Sequence, residues 1–81
     1  MIMVDIYIPE IGQVYDFEMD EEKTVGTVQK EIMELIAEKE KMSLPKDASM
    51  TLYALQNAEI LCNHRTLKEQ GIQSGDKLIL F

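Results

Sequence analysis

The chain has little of what stabilises or exports small secreted domains. Cys62 is the only cysteine among its 81 residues. No disulfide can therefore form within it, although secreted domains of this size usually depend on such bonds. The first five residues lack the basic stretch of a signal peptide and include Asp5. These absences lead us to expect a cytoplasmic protein.

Long apolar runs and positive charge are also scarce. The uninterrupted apolar runs span only a few residues, whereas a membrane-crossing helix needs roughly 18 or more. We therefore expect no direct membrane insertion. Eight Lys and Arg against fifteen Asp and Glu give a formal net charge of −7. A field of that sign repels a phosphate backbone, so we expect no nucleic-acid partner.

What the chain does contain is a set of short segments in which apolar and polar residues alternate. A spacing of two places one apolar face on a strand. The segments are 2–8, 14–19, 50–55, 59–62 and 77–81. Turn-forming Pro9 and Gly12 separate the first two, which indicates a hairpin. A chain of this length suits a single domain, residues 1–81.

Between the second and third of these segments the apolar spacing changes to three and four residues. Thr24 is a good N-cap, and the residues that follow at helical spacing are Val25, Val28, Ile32, Leu35 and Ile36. The pattern predicts a helix over 25–40 that is broken at 43–47, because Pro45 disfavours helical backbone. The acidic residues at 20–22 precede the positive end of this helix, which explains them without a metal.

The order of these segments predicts the fold class. It reads β-β-α-β-β-β, with a helical turn from Arg65 stopped by Gly71 before the last strand. An amphipathic helix and a sheet with one apolar face must cover each other. We therefore predict an α+β protein of the β-grasp type, in which a mixed sheet of four to five strands packs on one main helix.

Motifs near the C-terminus resemble the end of ubiquitin. They are Arg65-Thr66-Leu67 and the stretch from Gly71 through Gly75-Asp76 to Leu78. Within ubiquitin-like proteins the chain looks most similar to the bacterial YukD/EsaB family, through Val14-Tyr15-Asp16-Phe17 and Met42-Ser43-Leu44-Pro45. This resemblance spans almost the whole chain. It implies a cytoplasmic accessory or regulator of a Gram-positive type VII secretion system that binds other proteins without covalent attachment.

The last residues bear on covalent attachment. Conjugated ubiquitin-like proteins and sulfur carriers of this fold end in a flexible Gly-Gly tail, whereas this chain ends in Leu78-Ile79-Leu80-Phe81. We expect a protein that is not conjugated. The alternatives left open are a ubiquitin-like sulfur carrier or protein modifier, and a generic ubiquitin-like interaction module unrelated to secretion.

Side chains able to do chemistry are few. Cys62 and His64 lie two residues apart with no third group to orient them, so a structural or surface pair is favoured over a nucleophile and its base. They also supply only two of the three or four ligands that zinc takes from protein. The carboxylates of Glu18 and of residues 20–22 suggest a solvated edge rather than an acid/base pair. We expect no enzyme activity, no metal and no cofactor.

One face of the sheet is the candidate protein-binding site. Alternation places Tyr7, Tyr53, Leu55, Ile79 and Phe81 opposite the inward residues Ile6, Leu52, Ala54, Leu78 and Leu80. The resemblance places Tyr53, Ile79 and Phe81 at positions similar to the hydrophobic patch of ubiquitin. We predict a protein partner there, with homodimer formation as a competing use. The alternatives in which this face has no binding role are scattered surface apolar residues and burial of Phe81 beneath a loop. A one-residue slip in strand register would remove the patch.

Overall fold

The structure is a computed structural model that describes residues 1–41 and 50–81. Within these residues the elements are β1 (Ile2–Ile8), β2 (Gln13–Met19), α1 (Val25–Glu40), β3 (Leu52–Ala54), β4 (Glu59–Ile60) and β5 (Lys77–Leu80). The predicted order of elements is confirmed. The predicted break at 43–47 and the motif at 42–45 lie outside the described residues. In the described part of the chain, no helix has the length and apolar content needed to cross a bilayer.

The strands form one mixed sheet in the order β2-β1-β5-β3-β4. β1 and β5 run parallel at its centre, with Ile6 opposite Leu78. The other pairings are antiparallel. Short turns join β1 to β2 and β3 to β4, whereas β3 and β5 pair across a longer connection. One helix on one face of such a sheet is the β-grasp arrangement, and the predicted fold class is confirmed.

The core lies between α1 and the inner face of the sheet. Every second residue of β1 is buried there, beginning at Val4, while Asp5 and Tyr7 point the other way. The helix contributes its residues at three- and four-residue spacing. The largest side chains with under 2% exposure are Val4, Ile6, Val25, Val28, Ile32, Leu52, Leu67, Leu78 and Leu80. Methionines 33 and 50 pack against this cluster.

Local chemistry defines both ends of α1. The hydroxyl of Thr24 accepts a hydrogen bond from the backbone N–H of Thr27, which satisfies one of the free donors of the first turn. At the other end Lys41 adopts left-handed backbone, with φ 52°, and its N–H reaches the carbonyl oxygens of Ala37 and Glu38. The predicted bounds of the helix are confirmed.

One residue assigned to the core face of the helix is not there. Leu35 is 45% exposed, because it lies about 100° around the helix from Ile36 and at the border of the apolar stripe. The opposite border of the stripe is closed by Gln29, which is 8% exposed. Its amide nitrogen donates to the carbonyl oxygen of Met50, while its buried amide oxygen has no hydrogen-bond partner among the described residues.

The segment between β4 and β5 packs against the start of α1. The N–H of Gly26 donates to the carbonyl oxygen of Asn63 over 3.1 Å. The predicted helical turn is a set of hydrogen-bonded turns, in which Gln70 and Gly71 donate to carbonyls three residues earlier. Gly71 ends the set with φ 77°, a left-handed conformation that favours glycine.

Candidate protein-binding face

A single row of apolar side chains crosses the outer face of the sheet, away from α1. Strand register places Val14 opposite Tyr7, Tyr7 opposite Ile79, Ile79 opposite Tyr53, and Tyr53 opposite Ile60. One residue therefore comes from each strand, in the order β2-β1-β5-β3-β4. Four strand spacings of about 4.8 Å make this row about 19 Å long. We call these five residues the apolar row.

Leu55 and Phe81 extend the surface on either side of the row. Both continue the ladder between β3 and β5 beyond its regular strands. Thr51 and Phe81 exchange two backbone hydrogen bonds, and the N–H of Leu55 donates to the carbonyl oxygen of Lys77. Phe81 is 52% exposed and Leu55 is 47% exposed. The structure thus brings all five predicted site residues to one face, and Phe81 is not buried beneath a loop.

Exposure along the row is lowest in the middle and highest at the edges. Val14 and Ile60, on the two edge strands, are 60% and 64% exposed. Tyr7 is 41% exposed, and Ile79 and Tyr53 are half-buried because neighbouring strands flank them on both sides. Isolated exposed apolar residues are ordinary, but a contiguous line of them is typical of an interaction surface.

Two members of the row were not identified from the sequence. Val14 and Ile60 stand on the same face as Tyr7 and Tyr53 only because of the strand pairing. Alternation in β2 does place Val14 opposite the buried Phe17 and Met19, which was a usable signal. Ile60 lies on a strand of only two residues, which is too short to show any alternation.

A carboxylate row runs beside the apolar row. Asp5 and Asp16 stand directly opposite each other on β1 and β2. On the other side of β1, the register partner of Asp5 is Lys77 of β5. We call Asp5 and Asp16 the carboxylate pair. The pKa of Asp16 is raised, first by a hydrogen bond with the Asp5 side chain, then by the negative charge of Asp5, and further by partial loss of hydration. The apolar row therefore has an acidic border on the side of β1 and β2.

The other sequence candidates do not form a site. Cys62 and His64 are both exposed in the turn after β4. The acidic residues before α1 make local contacts: a carboxylate oxygen of Asp20 accepts from the N–H of Glu22, and Glu22 pairs with Lys68 at 3.7 Å. Among the residues described, no three His, Cys, Asp or Glu side chains converge as metal ligands would.

Comparison with solved structures identifies proteins with a similar architecture. A ubiquitin-like domain of an Arabidopsis thaliana protein, solved by NMR, is similar over 99% of this chain and 74% of its own, with a TM-score of 0.75 and 22% identity. Ubiquitin of Caldiarchaeum subterraneum is similar over 98% of this chain and 89% of its own, with a TM-score of 0.71 and 26% identity. No protein-family model and no curated protein matches the sequence. The chain has a ubiquitin-like fold, while its resemblance to the YukD/EsaB family stays a prediction.

Proposed function

We propose that this chain is a non-catalytic module that binds another protein non-covalently through the outer face of its sheet. The observation that carries the proposal is the apolar row, in which every strand contributes one side chain to a continuous line. Binding there removes apolar surface from water at about 25 cal/mol per Å². The half-buried Ile79 and Tyr53 at the middle suit the role of central anchors, since binding energy concentrates near the centre of an interface.

The finer proposal concerns where such a module acts. We propose a cytoplasmic accessory or regulatory component of a Gram-positive type VII secretion system, and the similarity of motifs such as Val14-Tyr15-Asp16-Phe17 to the YukD/EsaB family supports it. The partner would then be the cytosolic part of a membrane secretion machine. Genes for a secretion ATPase and small helical substrates beside the gene for this chain would support this reading, and their absence would favour a general interaction module.

The binding proposal is tested by affinity capture from an extract of the source cells, with captured proteins quantified by mass spectrometry. The variants are Tyr53→Ala, Ile79→Ala and Phe81→Ala, each of which truncates an outward side chain. We expect each to reduce captured partner by about tenfold or more, the usual effect of truncating an interface anchor.

The matched control is Leu35→Ala, because Leu35 is as exposed as Tyr7 but lies on α1 and away from the sheet face. It should leave capture unchanged. If the three face variants retain every captured protein, or lose them only as Leu35→Ala does, the face assignment is wrong. Light scattering across a concentration series, on wild type and Ile79→Ala, tests homodimerisation as the competing use of the same face.

A further inference from the structure

The polar border of the apolar row has a net negative charge. The outward positions beside the row on β1 and β2 are Asp5, Asp16 and Glu18, and the outward cation is Lys77 on β5. Asp5 lies two residues from Tyr7 on the same strand, and Asp16 lies two residues from Val14. Asp5 and Asp16 are therefore about 7 Å from the row, within reach of one bound segment.

The carboxylate pair is electrostatically unfavourable in the free protein. Like charges directly opposite each other on adjacent strands destabilise a sheet. Among residues 1–41 and 50–81, no lysine or arginine forms an ion pair with either carboxylate. The pKa of Asp16 is raised, first by the hydrogen bond with the Asp5 side chain and then by the negative charge of Asp5. A cation that reached both carboxylates would relieve this repulsion and gain two charge-assisted hydrogen bonds.

The negative charge of the protein also favours a basic partner over a second copy of this chain on the outer face. A second copy would bring a further net charge of −7 and its own carboxylate pair against the first, which costs free energy through like-charge contact. Arginine suits the pair best among natural side chains, because its planar guanidinium presents several donors to carboxylates and is weakly hydrated. The complementary surface is therefore apolar at its centre and basic at one side.

We propose that the outer face binds a basic, amphipathic segment of another protein, which lays an apolar side chain on Tyr7 and Ile79 and an arginine between Asp5 and Asp16. The inference rests on the proposed function and adds the chemistry of the partner. The carboxylate pair sets the orientation of the segment, since the basic side chain must lie toward β1 and β2 while the apolar side chain lies on the row.

The test is a selection of binders from a random peptide library displayed on phage, with the intact protein as bait. We expect the enriched peptides to combine apolar residues with arginine. Binding of synthetic copies should weaken by about tenfold with Asp5→Asn/Asp16→Asn, because hydrogen bonds to charged groups contribute about that factor. It should also weaken as salt rises, since partly exposed charges are screened.

The charge-matched control is Glu34→Gln/Glu38→Gln, which removes two carboxylates from the exposed side of α1 and should leave peptide binding unchanged. Peptides that lose binding with Ile79→Ala but keep it with Asp5→Asn/Asp16→Asn would overturn the arginine contact and leave the proposed function standing. Peptides whose binding is unchanged by Ile79→Ala, or a self-association that Ile79→Ala abolishes, would overturn both the arginine contact and the proposed function. Amide chemical shifts of each variant verify that the fold is retained.

Discussion

At the scale of single residues, the side chain of Gln70 bonds both backbone groups of Cys62. Its carbonyl oxygen accepts from the N–H of Cys62 over 2.7 Å, and its amide nitrogen donates to the carbonyl oxygen of Cys62 over 2.9 Å. These two bonds imitate one step of a strand pairing. The same amide nitrogen also approaches the carbonyls of Arg65 and Thr66. The side chain of Gln70 therefore adds to the backbone hydrogen bonds that hold the turn after β4.

Replacing Gln70 should destabilise the fold. Gln70→Ala leaves several backbone groups without their partner, and each lost bond of this kind costs about 0.5–1.5 kcal/mol. We expect a loss of about 1–3 kcal/mol in the free energy of unfolding, measured by urea denaturation. Gln70→Glu should be no better, because a carboxylate cannot donate to the carbonyl of Cys62. Gln73→Ala is the control at an exposed position, and an equal loss there would contradict the role of Gln70.

The raised pKa of Asp16 predicts a pH-dependent effect. A carboxyl whose pKa is higher in the folded state binds its proton more tightly there, so its contribution favours folding at low pH. That contribution is lost as pH rises through the folded-state pKa. Asp16→Asn should therefore raise the thermal midpoint at pH 7 relative to wild type, and the gain should shrink toward zero below the unfolded pKa of about 3.9.

Glu18→Gln is the control for this experiment. It removes a charge from the same strand, but Glu18 stands opposite Met3 rather than another carboxylate. Its effect on the thermal midpoint should be smaller and should change less with pH. A gain for Asp16→Asn that is constant across the pH range would contradict the opposed pair as its cause.

At the scale of elements, the start of α1 depends on close approach to the segment after β4. A Cβ added at Gly26 would lie 3.2 Å from the carbonyl oxygen of Asn63. That oxygen is held in place because it accepts the N–H of Gly26. A side chain at position 26 would therefore require the segment after β4 to move by a few tenths of an ångström.

Gly26→Ala sets two effects against each other. Alanine improves helix propensity by up to about 1 kcal/mol, and less in the first turn. The added Cβ forces the helix away from Asn63 and lengthens the hydrogen bond between them. We expect the contact to dominate and the free energy of unfolding to fall. Lys30→Ala, at an exposed position of α1, should change it by no more than about 0.5 kcal/mol. A higher thermal midpoint for Gly26→Ala would show that the segment after β4 moves to accommodate the added Cβ.

Elements with strong periodicity were predictable from sequence, and those set by pairing were not. Thr24 and the spacing from Val25 gave the helix its observed start, and alternation gave β1 its observed bounds. A strand was expected at 59–62, and β4 covers only Glu59–Ile60. That Ile60 belongs to the apolar row follows from its pairing with Tyr53. The prediction that Leu35 lies on the core face was wrong. A residue at the border of a helical stripe is covered or exposed according to its neighbours, and periodicity does not describe those neighbours.

For the whole molecule, the order of elements predicted the fold class and alternation predicted the outer face, but neither predicted how that face is composed. The five predicted residues, from Tyr7 to Phe81, were placed on one side by alternation alone. That Tyr7, Ile79 and Tyr53 line up in one row, with Asp5 and Asp16 beside it, follows from the pairing of β1 with β2 and β5 and of β5 with β3. Register is set by packing against α1, because a slip of one residue would expose the core.

The parallel pair at the centre of the sheet joins residues that are synthesised at very different times. Asp5 and Lys77 are 77 − 5 = 72 positions apart in the chain, yet they are partners. While the chain emerges from the ribosome, the β1–β2 hairpin and α1 are available early, but the gap between β1 and β3 stays open until β5 has left the exit tunnel. Such non-local closure is slow compared with helix or hairpin formation. The edges of β1 and β3 that face this gap therefore stay unpaired until β5 is released into solvent, and closure of the sheet follows that release.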